Sequence, residues 1–106
     1  MEHNVDVDTK LDKQGVRFAE RDVELLRAVH EHGSLNKAAS ALGRSYSRSH
    51  QRVVELEEAF GQLVDRQRGG SGGGGSSLTD AARDLLTEFD RLESEFAGVA
   101  GVEGSV

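Results

Sequence analysis

The chain has no cysteine, and that single absence removes disulfides, thiol nucleophiles and thiolate metal sites together. It has no tryptophan, and aromatic residues make up 5% of its 106 residues, so any core must be assembled from Leu, Val, Ala and a few Phe. Such a core is small and helical in character, and of the kind that a second copy of the chain completes. No apolar run approaches the roughly 20 residues that a bilayer-spanning helix needs. Met1-Glu2-His3-Asn4 does not read as a signal peptide, so the expectation is a soluble cytoplasmic protein. Lysine is also scarce: the 13 basic residues are ten Arg and Lys10, Lys13 and Lys37, against 19 Asp and Glu. This acid-rich, lysine-poor balance resembles that of halophilic archaeal proteins, whose surfaces suit a cytoplasm of molar salt.

A formal net charge of −6 opposes nucleic-acid binding if it is spread evenly, but it is not. Six of the basic residues fall between Lys37 and Arg68 against four acids, and the stretch from Arg44 to Arg52 contains no acid at all. The acid excess sits in the two ends.

Hydrophobic periodicity divides the chain into one domain over 1–97 and a tail over 98–106 expected to be disordered. Asn4 to Leu11 alternates polar and apolar residues, and Gly15-Val16-Arg17-Phe18 follows an Asp12-Lys13-Gln14 turn, which predicts an N-terminal hairpin. From Arg21 to His32, Val23, Leu26 and Val29 recur at helical spacing, and Gly33 supplies the stop. Ser34 then caps a short helix with Leu35, Ala38, Ala39 and Leu42 on one face, ended by Gly43. Ser45 caps a third helix, with Tyr46, Ser49, Val53, Leu56 and Phe60 on an inward stripe and Ser47, Arg48, Gln51 and Glu55 on the opposite face. Leu63 to Arg68 and Ser76 to Thr79 read as two strands joined by a glycine-rich tip, Gly69 to Gly75. Thr79 caps a final helix over 80–97, in which Ala82, Leu85, Phe89, Leu92 and Phe96 step by 3 and 4. Such a stripe packs inside one chain or against another; the expectation is a dimer interface.

Two short helices joined by a tight turn, with the small pair Ala38-Ala39 allowing close crossing, have the geometry of a helix-turn-helix over 34–60. Its second helix, Ser45 to Phe60, presents residue types suited to a major groove: Arg48 for a bidentate contact to guanine, Gln51 for adenine, and Arg44 and Arg52 for flanking phosphates. The strands over 63–79 form the wing, to which Arg66 and Arg68 lead. The fold class is thus mainly α with a small β component: a winged helix-turn-helix with an N-terminal hairpin, a Gly-rich wing and a long C-terminal dimerisation helix. A nucleotide-binding reading of the glycines fails because the run lacks the Gly-Lys-Ser/Thr end that phosphate and magnesium require. His3, His30, His32 and His50 do not suggest a metal site, since only His30 and His32 are close and a spacing of two puts them on different faces. No enzyme chemistry and no cofactor are expected.

Gly33 to Tyr46, Leu56-Glu57 and Leu78-Thr79-Asp80-Ala81-Ala82-Arg83-Asp84-Leu85-Leu86 resemble the N-terminal DNA-binding domain of the ModE-type, molybdate-responsive regulators, with LysR-type regulators sharing the skeleton more distantly. The resemblance spans roughly residues 4 to 97. It implies a dimer formed through the first and last helices that reads a palindromic operator in double-stranded DNA with Ser45 to Arg52, Ser45, Tyr46 and Ser47 opening the recognition helix and Arg66 and Arg68 entering the wing; Lys37 and Arg44 are expected at the DNA beside them. His50 stands where ModE-type sequences commonly carry tryptophan, and no molybdate-binding segment follows in this chain, so molybdate sensing is not carried over and the expectation is a stand-alone regulator. The operator, the sign of regulation and any protein partner or small effector are not encoded. An architectural DNA-coating protein and a winged-helix protein-interaction module remain the other classes compatible with these residues.

Overall fold

A two-residue loop organises the first hairpin, β1 (Asp12–Lys13) and β2 (Val16–Arg17), in the structure, a computed structural model that describes residues 10–69 and 75–104, with side chains at 10–66 and 77–95. Gln14 and Gly15 both have positive φ, 54° and 78°, the requirement of a type I′ turn, and Gly15 meets it without steric cost. Asp12 therefore faces Arg17 across the ladder, and the two side chains form an ion pair at 3.2 Å. The expected hairpin is corrected accordingly. Residues 12 and 13 are strand, the turn moves to Gln14-Gly15, and most of the expected first strand, Asn4 to Thr9, lies outside the described residues.

Helix α1 (Glu20–His32) begins at Ala19, which offers no capping hydroxyl; Asp22 reaches back instead and accepts the Ala19 amide at 2.9 Å. Its far end closes on Gly33 at φ 86°, whose N–H donates to the Val29 carbonyl at 2.8 Å. Helix α2 (Leu35–Ala41) is capped by Ser34 Oγ, which accepts the Lys37 amide, and α3 (Tyr46–Phe60) by Ser45 Oγ, which accepts the Arg48 amide. The connection is tight: the Arg44 amide still bonds back to the Ala39 carbonyl at 2.8 Å. Ala38 and Ala39 are fully buried in it, so the lack of side-chain bulk lets α2 approach α1 and α3 closely.

The wing pairs β3 (Val64–Gly69) with β4 (Gly75–Leu78), antiparallel, in the register Val64 to Leu78 and Asp65 to Ser77, with an irregularity before Gly69 meets Gly75. The tip, 70–74, lies outside the described residues. Helix α4 (Asp80–Gly104) follows directly, and Thr79 Oγ1 accepts the Ala82 amide at 3.2 Å while donating to the Gln62 carbonyl at 2.7 Å. Thr79 thereby ties the wing base to the start of α4.

One apolar cluster joins all of this: Leu26 and Val29 of α1, Val53 and Leu56 of α3, Leu63 and Val64 at the wing base, and Ala82 of α4 are fully buried in it. Phe18, after β2, packs edge-on against Phe60 of α3 at 6.2 Å and Phe89 of α4 at 6.3 Å. Two expectations change here. Ala82 and Leu85, assigned to a dimer interface, lie in the chain's own core, because the α1–wing layer offers the apolar partner that the stripe required. Phe89 and Leu92 pack onto that core only partly, and the Phe96 side chain is outside the described set. The irregular tail expected from Gly98 is instead helical through Gly104, since an established helix gains a hydrogen bond for each residue it adds. No described helix is long and apolar enough to cross a membrane.

Candidate nucleic-acid interface

The inner face of α3 is pinned by Ser49, Val53 and Leu56, all buried, which fixes the rotation of the helix and turns Ser47, Arg48 and Gln51 outward. The three are exposed on one side of the N-terminal half, next to the exposed Ser45 cap. Tyr46, expected on the buried stripe, is 48% exposed. It belongs to the first turn, whose side chains lean toward the helix N-terminus and past the edge of the body. Its ring lies 5.8 Å from that of His50, so the two extend the outer face with aromatic surface. Lys37 on α2 and Arg66 on β3 are exposed on the helix-turn-helix and wing; Arg68 is in β3, with its side chain outside the described set.

Ion pairing sorts the basic residues into two groups. Arg17, Arg27, Arg44, Arg52, Arg83 and Arg91 each bind a carboxylate. Among the described residues the side chains of Arg21, Lys37, Arg48 and Arg66 make no hydrogen bond or ion pair, so their charge is available to a partner. A guanidinium that has already given up its solvation to an internal acid has fewer donors left for a phosphate.

This distinction separates Arg44 and Arg52 from Arg48. Arg52 Nε and Nη2 donate to the two oxygens of Asp22 at 2.8 and 3.0 Å, Nη2 also donates to the Arg17 carbonyl at 2.9 Å, and Nη1 donates to Glu55 at 3.1 Å. Asp22 is 3% exposed, and its hydrogen bonds to Arg52 raise the guanidinium pKa beyond its already high value. Arg52 thus ties α3 to α1 and to the hairpin. Arg44 is held by Glu24 and by the Arg21 carbonyl, tying the α2–α3 turn to the start of α1. Both residues set the pose of α3. Their partners sit 30 and 20 positions earlier in the chain, a separation that no local pattern reveals.

Two further residues escape sequence reasoning. Asp22 carries a weak signal, an acid three residues into a helix that lacks a capping hydroxyl. Glu57 carries none beyond its place after Leu56. Its Oε2 accepts the amides of Leu63 and Val64 at 2.9 and 3.0 Å, fixing where the chain leaves α3 and enters the wing. Both amides belong to fully buried residues, so Glu57→Ala is expected to cost about 2 kcal/mol. Glu57→Gln, which keeps an acceptor oxygen, should recover roughly half of that. Urea midpoints of the two variants measure the difference, and equal midpoints would exclude the anchoring role.

Among the described residues, no group of three or more His, Cys, Asp or Glu is placed to hold a metal ion, and His30 and His32 are exposed in the last turn of α1. His3 lies outside the described residues.

Residues 21–83, from the start of α1 to the first turn of α4, match the family described as bacterial regulatory helix-turn-helix protein, lysR family. Curated relatives agree. The chain is 40% identical over 81 residues to the molybdenum transport protein ModE of Herbaspirillum seropedicae, covering 73% of this chain and 29% of that protein. It is 36% identical over 86 residues to the molybdenum-pterin-binding protein MopA of Rhodobacter capsulatus, covering 79% and 32%. With the DNA-binding transcriptional dual regulator ModE of Escherichia coli K12 the identity is 33% over 73 residues, covering 68% and 28%. The chain therefore spans about a third of the length of these relatives, and what it shares with them is a ModE-like helix-turn-helix. A matched segment that takes in the helix-turn-helix, the wing strands and the α4 start places the fold beyond composition: the chain belongs to the lysR family of bacterial regulatory helix-turn-helix proteins.

Proposed function

We propose that the chain is a sequence-specific, DNA-binding transcription regulator that acts as a homodimer in the cytoplasm, with α3 in the major groove. The observation that carries this reading is the outer face of α3: Ser47, Arg48 and Gln51 stand together, Arg48 bears an unpaired guanidinium, and no acid occurs between Arg44 and Arg52. Arg48 and Gln51 read base edges, and Ser45, Tyr46 and Ser47 line the groove at the helix entry. Lys37, Arg66 and Arg68 hold backbone phosphates, the last two from the wing. The names of the relatives, a transcriptional dual regulator among them, support the regulatory part of this reading.

Dimerisation falls to α4. Ala82 and Leu85 are spent inside the chain, which leaves the partly packed Phe89 and Leu92 as the described part of the stripe able to meet a second copy. Two copies then place two α3 helices in successive major grooves, about 34 Å apart, on a palindromic site.

The composition fits a high-salt cytoplasm such as that of halophilic archaea, although the relatives named above are bacterial. With few free cations on the DNA face, affinity rests on base contacts and fit more than on counterion release, and it declines slowly with salt.

Selection from a genomic fragment library at low and near-molar potassium salt tests the reading. One enriched palindrome is expected, and Arg48→Ala should weaken binding to it by about 1–3 kcal/mol, roughly 5- to 150-fold, while leaving the melting temperature unchanged. Uniform recovery of fragments would instead indicate an architectural protein, and no retention at any salt a protein-interaction module.

A further inference from the structure

A cleft of about 580 Å³ lies where the start of α1, the α2–α3 turn and the N-terminal half of α3 meet. Its lining includes Arg21, Asp22, Arg44, Ser45, Arg48 and Arg52. Four guanidinium groups from three elements thus converge on one opening that also borders the outer face of α3. Two of them are neutralised: Asp22 holds Arg52 and Glu24 holds Arg44. The other two, Arg21 and Arg48, are exposed and unpaired among the described residues. With Glu55 as a second acid on Arg52, four guanidinium groups against three paired carboxylates leave a net positive charge of about one around the cleft, in a chain whose formal net charge is −6.

The Arg44 guanidinium also bonds to the Arg21 carbonyl at 3.1 Å, so the backbone that carries Arg21 is tied to the α2–α3 turn while its exposed side chain stays free at the concave edge. A free guanidinium there presents a planar fork of donors that suits one tetrahedral anion.

We infer that this cleft seats a single backbone phosphodiester of the bound DNA on Arg21, beside the base-reading Arg48, and that Arg21, outside the helix-turn-helix, is a positioning residue that sets how deeply α3 enters the groove. The inference rests on the DNA-binding reading above and adds a contact from α1. A phosphate contact of this kind is blind to sequence, so its loss weakens binding to every duplex equally.

The test uses the full chain and a random-sequence duplex of about 30 base pairs, with affinity measured by fluorescence anisotropy across potassium chloride concentrations from about 0.1 M upward. Arg21→Ala is expected to lower the slope of log affinity against log salt by about one per bound protomer, and the affinity roughly five- to tenfold at about 0.1 M, with the difference closing near molar salt. Arg21→Lys should restore most of the slope, because a phosphate accepts a point charge. Arg27→Ala removes an equal charge from the side of α1 that faces Asp90, and should leave the slope unchanged. An unaltered slope in Arg21→Ala, or an equal loss in Arg27→Ala, overturns the inference. The DNA-binding reading survives that result if Arg48→Ala still weakens binding to the enriched motif; it fails separately if the unmutated chain binds no duplex at any salt.

Discussion

Arg52→Ala is expected to destabilise the fold by about 3 kcal/mol, the lower end of the cost of removing one partner from a buried ion pair. The lower end applies because the Arg52 side chain is 35% exposed, so water softens the loss on that side, while the Asp22 side chain at 5% has no such relief. The variant leaves a carboxylate buried between α1 and α3 with only the Ala19 amide to satisfy it, and also orphans the Arg17 carbonyl. In a domain of this size the melting temperature should fall by roughly 10–20 °C. The double variant Asp22→Ala with Arg52→Ala removes the stranded charge and should be more stable than the sum of the two single losses predicts. Thermal melts of the four proteins in the cycle decide the matter. If Arg52→Ala melts no lower than Arg48→Ala, then Arg52 is a surface side chain free for DNA and the bridging role is wrong.

The expected contrast between Arg48 and Arg52 shows where reading a sequence stops. Both are arginines on α3, four residues apart, in a stretch without acids, and local pattern assigns both to DNA. What separates them is one helical turn of rotation and the presence of Asp22, far away in the chain, opposite only one of them. The starts and stops of α1 to α3 are legible because their signals are local: Ser34 and Ser45 cap from within the chain itself, and Gly33 closes α1 in the left-handed conformation. The wing strands are legible to within a residue for a similar reason, since glycine marks the tip and Thr79 the restart of helix.

The failures share a cause of the opposite kind. Asp12-Lys13-Gln14 suggests a turn, but Asp12 and Lys13 are strand, because register follows the turn and the positive φ values fall on Gln14 and Gly15. The stripe Ala82, Leu85, Phe89, Leu92 correctly announces that α4 needs an apolar partner; periodicity does not say whose. Helix α1 and strand β4, which share one buried cluster with Ala82 and Leu85, supply it from the same chain, and only the later part of the stripe is left over. Tyr46 falls on the inward stripe by angle alone, yet the body ends before the first turn of α3 does. In each case the periodic signal is sound and the missing information is the position of a distant surface.

Phe18→Ala is expected to cost about 3–5 kcal/mol, the largest loss among the apolar side chains considered. Phe18 is 1% exposed and sits between Phe60 and Phe89 in two edge-to-face contacts, each contributing about 0.5–1.5 kcal/mol beyond burial. Its ring meets both the end of α3 and the middle of α4, so truncation opens a cavity at the junction of the hairpin, α3 and α4. Small domains are stable by only about 5–15 kcal/mol, so the variant should lie close to its unfolding midpoint in dilute buffer. Phe18→Leu keeps most of the volume and loses the ring contacts, and should cost less than half as much. Guanidinium midpoints of both variants separate cavity from ring geometry. A Phe18→Ala midpoint near that of the unmutated chain would show that α4 is held by Ala82 and Leu85 alone. The expected large shift would mean that the hairpin, through Phe18, is a main support of α4 on the core.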